Sequence, residues 1–222
     1  MKSKKKQLER SQLYVIIDKD SLSKEEIFKI VKKIKNQRID IIQYRDKSAD
    51  KNSILENTLH IKEIIKETKS IFIINDYLDI AKIIDADGIH LGQEDVSIEI
   101  ARRILGRDKI IGISCHSLRQ AKVAQEKGAD YLGIGPVFPS PTKQTNDKTL
   151  GLSLLKRIKE KINLPFFAIG GINLDNLKTL LELGIRRIAV SSAICLAPNP
   201  EMMIKAFFRF FRENDAIRIS QK

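Results

Sequence analysis

A single (β/α)8 TIM barrel of the α/β class is the fold this sequence predicts, and three observations carry it. The chain has 222 residues, enough for one sizeable core and within the size range of one such barrel. Short apolar, β-rich runs alternate eight times with helical segments across mostly short links, so successive strands read as parallel neighbours. Unusual polar residues follow the carboxyl ends of the strands, the end at which barrels of this kind carry function. Residues 1–12 read as a basic amino-terminal tail, 13–212 as the barrel and 213–222 as a carboxyl-terminal tail.

The elements run in order along the chain. Residues 13–17 form a first strand, and Ser23 with Glu26 makes a capping box for a helix to about Asn36. Residues 39–44 form the second strand, followed by Arg45-Asp46-Lys47; Ser53 with Glu56 opens a helix to about Lys69. Strand three, 71–74, stops at Asn75-Asp76. Strand four, 88–91, stops at Gly92-Gln93-Glu94-Asp95, with one short helix between the two. Ser97 can cap a helix to Leu105, residues 110–113 form strand five, and Ser117 with Gln120 makes a third box for a helix ending at Lys127-Gly128, where glycine suits the position after the cap. Strand six, 131–134, leads into the longest connection, 136–150, before a helix from about Leu152. Strand seven, 166–169, ends in Gly170-Gly171 ahead of a helix over 174–183, and strand eight, 188–190, ends in Ser191-Ser192. Asn199 and Pro200 read as N-cap and first residue of a last helix, whose stripe Met203, Ala206, Phe207, Phe210 and Phe211 packs on the barrel.

Charge narrows the partners. The formal net charge is +12, but residues 1–10 carry five basic groups and one acid, and residues 209–222 four basic groups and two acids. Half of the excess therefore lies at the two ends. The remainder is spread over Lys- and Glu-rich helices with no aromatic ladder for stacking bases, so no nucleic-acid partner is expected. A positive field equally draws in phosphorylated small molecules. The apolar run after the first lysines is cut short by Asp18 and is not a secretion signal, and no run approaches the roughly 20 residues that cross a bilayer. A cytoplasmic location without membrane attachment is the expectation, and Cys115 and Cys195, far apart in sequence, are expected to be reduced, buried thiols.

If the strands are parallel neighbours, Asn75, Asp76 and Asp95 converge on one mouth of the sheet. Two carboxylates and an amide suit a hard cation. Mg2+ takes one or two protein carboxylates and shares the rest of its shell with water and substrate phosphates, so Asp76 and Asp95 suggest Mg2+ that arrives with a phosphorylated ligand. Arg45 and Lys47 beyond strand two, with Lys143 from the long loop, add three cations suited to a pyrophosphate. Gly170-Gly171 and Ser191-Ser192 occupy the usual phosphate corner of such barrels, with two tight turns as the plainer reading. Helix capping is the plainer reading for Asp76 and Asp95, less convincing for Asp95 because Ser97 is the better cap. His90 and His116 lie at strand ends without a serine or cysteine nucleophile arrangement and read as structural, and His60 as a surface residue.

With these residues in view, the chain resembles the thiamine phosphate synthase family from about Leu13 to Ile194. Gln43-Tyr44-Arg45-Asp46-Lys47 is similar to the family's QLREK, Asn75-Asp76 to its ND, and the run from Asp87 to Asp95 to its DGvHlGQeD. Gly112-Ile113-Ser114, Gly128-Ala129-Asp130-Tyr131, Gly135-Pro136-Val137-Phe138-Pro139, Thr142-Lys143, Ile169-Gly170-Gly171-Ile172 and Ser192-Ala193-Ile194 come in the family's order. The resemblance implies transfer of a hydroxymethylpyrimidine group from its diphosphate to the nitrogen of a thiazole phosphate, by a dissociative route that releases pyrophosphate. It implies that Asp76 and Asp95 bind magnesium, that Arg45, Lys47, Asn75 and Lys143 hold the departing pyrophosphate, and that Gln43 and Ser114 contact the pyrimidine. It further implies that Ser140, Thr142, Gly171, Ser191 and Ser192 hold the thiazole phosphate. Tyr44 and Asp46 stand where the family usually has Leu and Glu, and Ser140 where Thr is common. Ser140 keeps a hydroxyl; the shorter Asp46 leaves the hydrogen bonding of its loop open. The rival readings are a thiazole tautomerase on the same barrel, with His116 as acid-base residue, and a non-enzymatic phosphate-ligand-binding barrel.

Overall fold

The structure, a computed structural model, describes residues 4–139 and 149–220. Eight strands, β1 (Leu13–Asp18), β2 (Ile41–Arg45), β3 (Ile71–Asn75), β4 (Gly88–Leu91), β5 (Ile110–Cys115), β6 (Tyr131–Ile134), β7 (Phe166–Ile169) and β8 (Ile188–Val190), pair in sequence order. Every pairing is parallel and β8 closes on β1, so the chain is the (β/α)8 barrel that its alternation predicts.

Strands buried on both faces read as continuous apolar runs, which hides their period of two. The packing restores it. Tyr14 and Ile16 of β1, Ile41 of β2, Ile71 and Ile73 of β3, Ile110 of β5, Tyr131 of β6, Phe167 of β7 and Ala189 of β8 form one cluster inside the barrel. Their odd neighbours, such as Val15, Ile42, Ile74 and Ile111, join the outer core beneath the helices.

Those helices are α2 (Lys24–Ile34), α3 (Lys51–Ile65), α4 (Leu78–Ile83), α5 (Ile98–Leu105), α6 (Leu118–Glu126), α7 (Gly151–Lys161), α8 (Leu174–Glu182), the short α9 (Ser192–Cys195) and α10 (Pro200–Ser220). The Ser23–Glu26 capping box opens α2 as expected, and Ser97 caps α5. Two caps differ from the sequence reading. The cap of α3 is Asp50 rather than Ser53: its carboxylate accepts from the amides of Asn52 and Ser53 at 3.0 and 3.1 Å, and Ser53 Oγ donates to it at 2.7 Å. A carboxylate interacts more strongly than a hydroxyl with the positive end of the helix dipole, which starts the helix three residues earlier. At α6, Ser117 accepts from the Gln120 amide, but Gln120 Oε1 takes the His116 amide at 2.6 Å, so the third box is only half formed. In α10, Asn199 Oδ1 accepts from the Met202 amide at 3.0 Å, the expected N-cap. The buried stripe there runs Ile204, Phe207, Phe208 and Phe211, with Met203 and Phe210 on its margin.

Ahead of β1, residues Lys4–Leu8 form a short helix, α1, across the amino-terminal end of the barrel. Leu8 is 2% exposed and packs with the interior cluster, a burial worth about 2 kcal/mol. Lys4 donates to the Ser70 carbonyl at 3.0 Å and pairs with Asp87 at 3.1 Å, and Lys5 pairs with Asp130 at 2.8 Å. The basic residues that composition assigns to a tail thus seat one leucine as a plug. No helix among the described residues is long and apolar enough to cross a membrane. Cys115 and Cys195 are free and buried, and burial pushes both thiols up to about 12, the state of inert reduced cysteines.

Candidate active site

Above the apolar interior, a cavity of about 490 Å³ opens at the carboxyl ends of the strands. The same parity that fills the interior selects its lining. The positions inward of Tyr14, Ile41, Ile73, Ile110 and Tyr131 lead upward to Asp18, Gln43 and Arg45, Asn75, Ser114 and Gly133, all of which line the cavity.

Its floor is a buried chain of hydrogen bonds. Gln43 Nε2 donates to Tyr14 Oη at 2.6 Å; Tyr14 and Tyr131 share a bond of 2.9 Å; His90 Nδ1 lies 2.9 Å from Tyr131 Oη, and His90 Nε2 2.9 Å from Ser114 Oγ. An amide nitrogen can only donate, so one arrangement uses every proton: Tyr14 donates to Tyr131, Tyr131 to Nδ1, and Nε2–H to Ser114. The Ser114 hydroxyl is then left to donate into the cavity. Gly112 on β5 makes room for this chain, since a Cβ there would meet Tyr131 Cζ at 2.0 Å.

Burial pushes the His90 imidazole down to about 4, against a slight upward pull from Asp95, so the ring is neutral at pH 7. The unfolded chain takes up this proton near pH 6.5 while the folded one resists, so stability is lost as pH falls from 6.5 toward 4. Wild type should lose about 3 kcal/mol more than a His90→Gln variant between pH 7 and pH 4 in urea titrations. Parallel profiles would remove this assignment.

The rim is charged. Arg45 Nη1 donates to Asp18 Oδ1 and Asp20 Oδ2, both at 2.6 Å, and Lys47 pairs with Asp76 at 3.0 Å. Asp76 sits in the left-handed region at φ +60°, an uncommon backbone for a non-glycine residue that turns its carboxylate toward the mouth side of β3 and β4. Burial holds the Asp76 carboxyl above its ordinary range; Lys47 pulls it back and the neighbouring Asp95 pushes it further. Asp95 also accepts from the Gly92 amide at 2.6 Å. Neither aspartate caps a helix: α4 starts without a side-chain cap bond, and Ser97 serves α5. The acids from the third and fourth strands therefore meet. Asn75 beside them is 6% exposed, and its Nδ2 has no hydrogen-bond partner among the described residues.

Across the mouth, Gly171 has φ +61°, and a Cβ there would lie 2.2 Å from the Pro139 carbonyl oxygen, so glycine is required both by the turn and by the approach of that loop. Ser191 and Ser192 line the cavity beside it, and Ser191 precedes α9 without a side-chain cap bond. Of the residues expected from sequence, the structure brings Gln43, Arg45, Asn75, Ser114, Gly171, Ser191 and Ser192 to the cavity, with Lys47, Asp76 and Asp95 at its edge. Ser140, Thr142 and Lys143 lie outside the described residues. Sequence reasoning missed Tyr14, Tyr131 and Asp18, whereas its reading of His90 as a satisfied structural histidine fits a buried ring with both nitrogens bonded. The signal was available: a tyrosine at an inward position of an otherwise aliphatic strand needs a polar partner when buried.

Residues 13–194 match the family described as Thiamine monophosphate synthase. The chain is similar to a thiamine-phosphate synthase of Lawsonia intracellularis, 41% identical over 194 residues that cover 87% of this chain and 89% of that one. It is 46% identical over 167 residues to one from Prochlorococcus marinus; the match covers 75% of this chain and spans about half, 48%, of that longer protein. Among solved structures it is similar to a thiamine phosphate pyrophosphorylase from Pyrococcus furiosus, with a TM-score of 0.80, 34% identity and coverage of 93% of this chain and 98% of that chain. By the match over most of its barrel, the chain belongs to the thiamine monophosphate synthase family, a family of transferases.

Proposed function

We propose that the protein joins hydroxymethylpyrimidine diphosphate to hydroxyethylthiazole phosphate, giving thiamine phosphate and pyrophosphate. One observation carries the reading most: two carboxylates meeting at the mouth of a cavity whose rim holds Arg45 and Lys47 and whose floor is a neutral polar chain. Cations and an acid pair at the rim suit a diphosphate, and donors and acceptors below suit an aminopyrimidine ring.

The bond between the pyrimidine methylene and the diphosphate oxygen breaks with its electron pair going to oxygen, and the electron-rich ring carries the methylene cation. The thiazole nitrogen lone pair then forms the new C–N bond, so no general base is required. Arg45, Lys47, Asn75 and Lys143 stabilise charge growing on the leaving group, while Gln43 and Ser114 orient the pyrimidine. Gly171, Ser191, Ser192, Ser140 and Thr142 hold the thiazole phosphate. The donor set fits a divalent cation, because burial, with the neighbouring Asp95 adding to it, raises the Asp76 carboxyl, and a cation shared by the two acids would offset both. Two protein carboxylates would leave the rest of an Mg2+ shell to water and substrate oxygens. Held by Asp76 and Asp95, Mg2+ would supply positive charge that stabilises a diphosphate leaving group.

The test mixes purified protein with both phosphorylated substrates and Mg2+ and follows thiamine phosphate and pyrophosphate. Equimolar formation of both is expected. Proton exchange on the thiazole without C–N bond formation would replace this reading with the tautomerase one. Ligand binding without any chemistry would leave only a binding barrel.

A further inference from the structure

Behind the rim, outside the cavity, lies a second buried polar cluster that the reaction does not use. Gln43 and Arg45 face the cavity, so their neighbours on β2 face outward. Tyr44, 1% exposed, lies under α3, where Asn57 Nδ2 donates to its hydroxyl at 3.1 Å. Tyr44 Oη in turn donates to Asp46 Oδ2 at 2.9 Å. The other oxygen, Asp46 Oδ1, accepts from the Ser48 amide at 3.0 Å, the Ser48 hydroxyl at 3.2 Å and the Ala49 amide at 3.0 Å. Asp46 is itself 1% exposed, and a carboxylate that buried persists only if both oxygens are satisfied. Tyr44 and Asp46 are also the two positions at which the second-strand motif departs from the pattern it resembles, and the structure shows them in contact.

We propose that Tyr44 and Asn57 are positioning residues: through the buried Asp46 carboxylate they hold the 45–47 turn, and with it Arg45 and Lys47, against the diphosphate. The inference rests on the functional reading above. Its geometric basis is that Asp46 sits between the two cations in the chain, bonded forward to the Ser48 and Ala49 amides that follow the turn and backward to Tyr44, whose hydroxyl is anchored on α3 through Asn57. Removing the tyrosine hydroxyl leaves one buried carboxylate oxygen without its donor. The turn then shifts or admits water, and the two cations lose their common placement while their charges stay unchanged.

The experiment measures binding of inorganic pyrophosphate with Mg2+ by calorimetry, alongside steady-state kinetics, for wild type, Tyr44→Phe and Asn57→Leu. Tyr44→Phe should weaken pyrophosphate about tenfold and raise the KM for the pyrimidine diphosphate to match, with the KM for the thiazole phosphate unchanged. Asn57→Leu should weaken it about threefold, and it carries the test if Tyr44→Phe does not fold. Leu105→Ala, a destabilising change at the far end of α5, should leave pyrophosphate binding unaltered. Adding Tyr44→Phe to Asp46→Asn should have less than threefold further effect, because the hydroxyl acts through that carboxylate. Wild type that binds pyrophosphate, together with variants that bind it within twofold, would overturn this inference alone. Equal weakening by Leu105→Ala would do the same, reducing the effect to lost stability. Wild type that neither binds pyrophosphate nor forms product would overturn the functional reading and this one with it.

Discussion

Asp95→Asn is expected to lower kcat/KM for thiamine phosphate formation by about 10²–10³-fold while leaving the protein at least as stable as wild type. The substitution keeps the shape and an oxygen for the Gly92 amide, so the 92–95 turn persists. It removes one of two like charges, and the Asp76 carboxyl, which Asp95 helps to hold above its ordinary range, should relax downward. Stability and activity therefore part company, as they do when a residue is kept for what it binds rather than for what it packs against. Thermal unfolding with and without Mg2+ gives the second readout: an increase in Tm on adding Mg2+ and pyrophosphate to wild type should be absent in the variant. Turnover within threefold of wild type would remove Asp95 from the cation site.

Gly112→Ala should damage the barrel interior and the polar chain of the cavity floor together. The added Cβ would lie 2.0 Å from Tyr131 Cζ and 2.5 Å from its Oη. That ring cannot retreat easily: Phe167 meets it edge-on at 5.6 Å, and Tyr14 and His90 stand at 5.9 and 5.5 Å. Overpacking of a closed interior costs about 2–3 kcal/mol, readable as a lower urea midpoint at unchanged slope. Activity should fall at least tenfold in the surviving folded protein, on the order of 1.4 kcal/mol, because moving Tyr131 breaks the chain that orients Ser114. In a Tyr131→Leu background the same substitution should cost under about 1 kcal/mol, since the clashing atoms are gone. A cost unaffected by that background would place the strain elsewhere.

The barrel was legible because its evidence is local and repeated. Strand runs such as 71–74 and 131–134, and capping residues such as Ser23 and Ser97, declare themselves within a few neighbours. The errors were local too, decided by competition between adjacent groups. Asp50 displaced Ser53 as a cap because a carboxylate interacts more strongly than a hydroxyl with the amides at a helix start, and the buried stripe of α10 shifted because four phenylalanines within residues 207–211 offer more than one apolar face.

By itself the sequence determined the order of elements and the end of the barrel that carries the polar residues, Arg45, Lys47, Asn75, Asp76 and Asp95 among them, because these depend on strand period and on the few residues next to each strand's carboxyl end. Only the tertiary structure decided that Tyr14, Tyr131, His90 and Ser114, from four different strands, form one chain, that Leu8 plugs the opposite end, and that Asn57 of α3 reaches the buried Tyr44 hydroxyl. Each of those depends on which side chains meet across the closed sheet or beneath a helix, at separations of up to 117 residues, and contacts of that range leave no periodic trace in the chain.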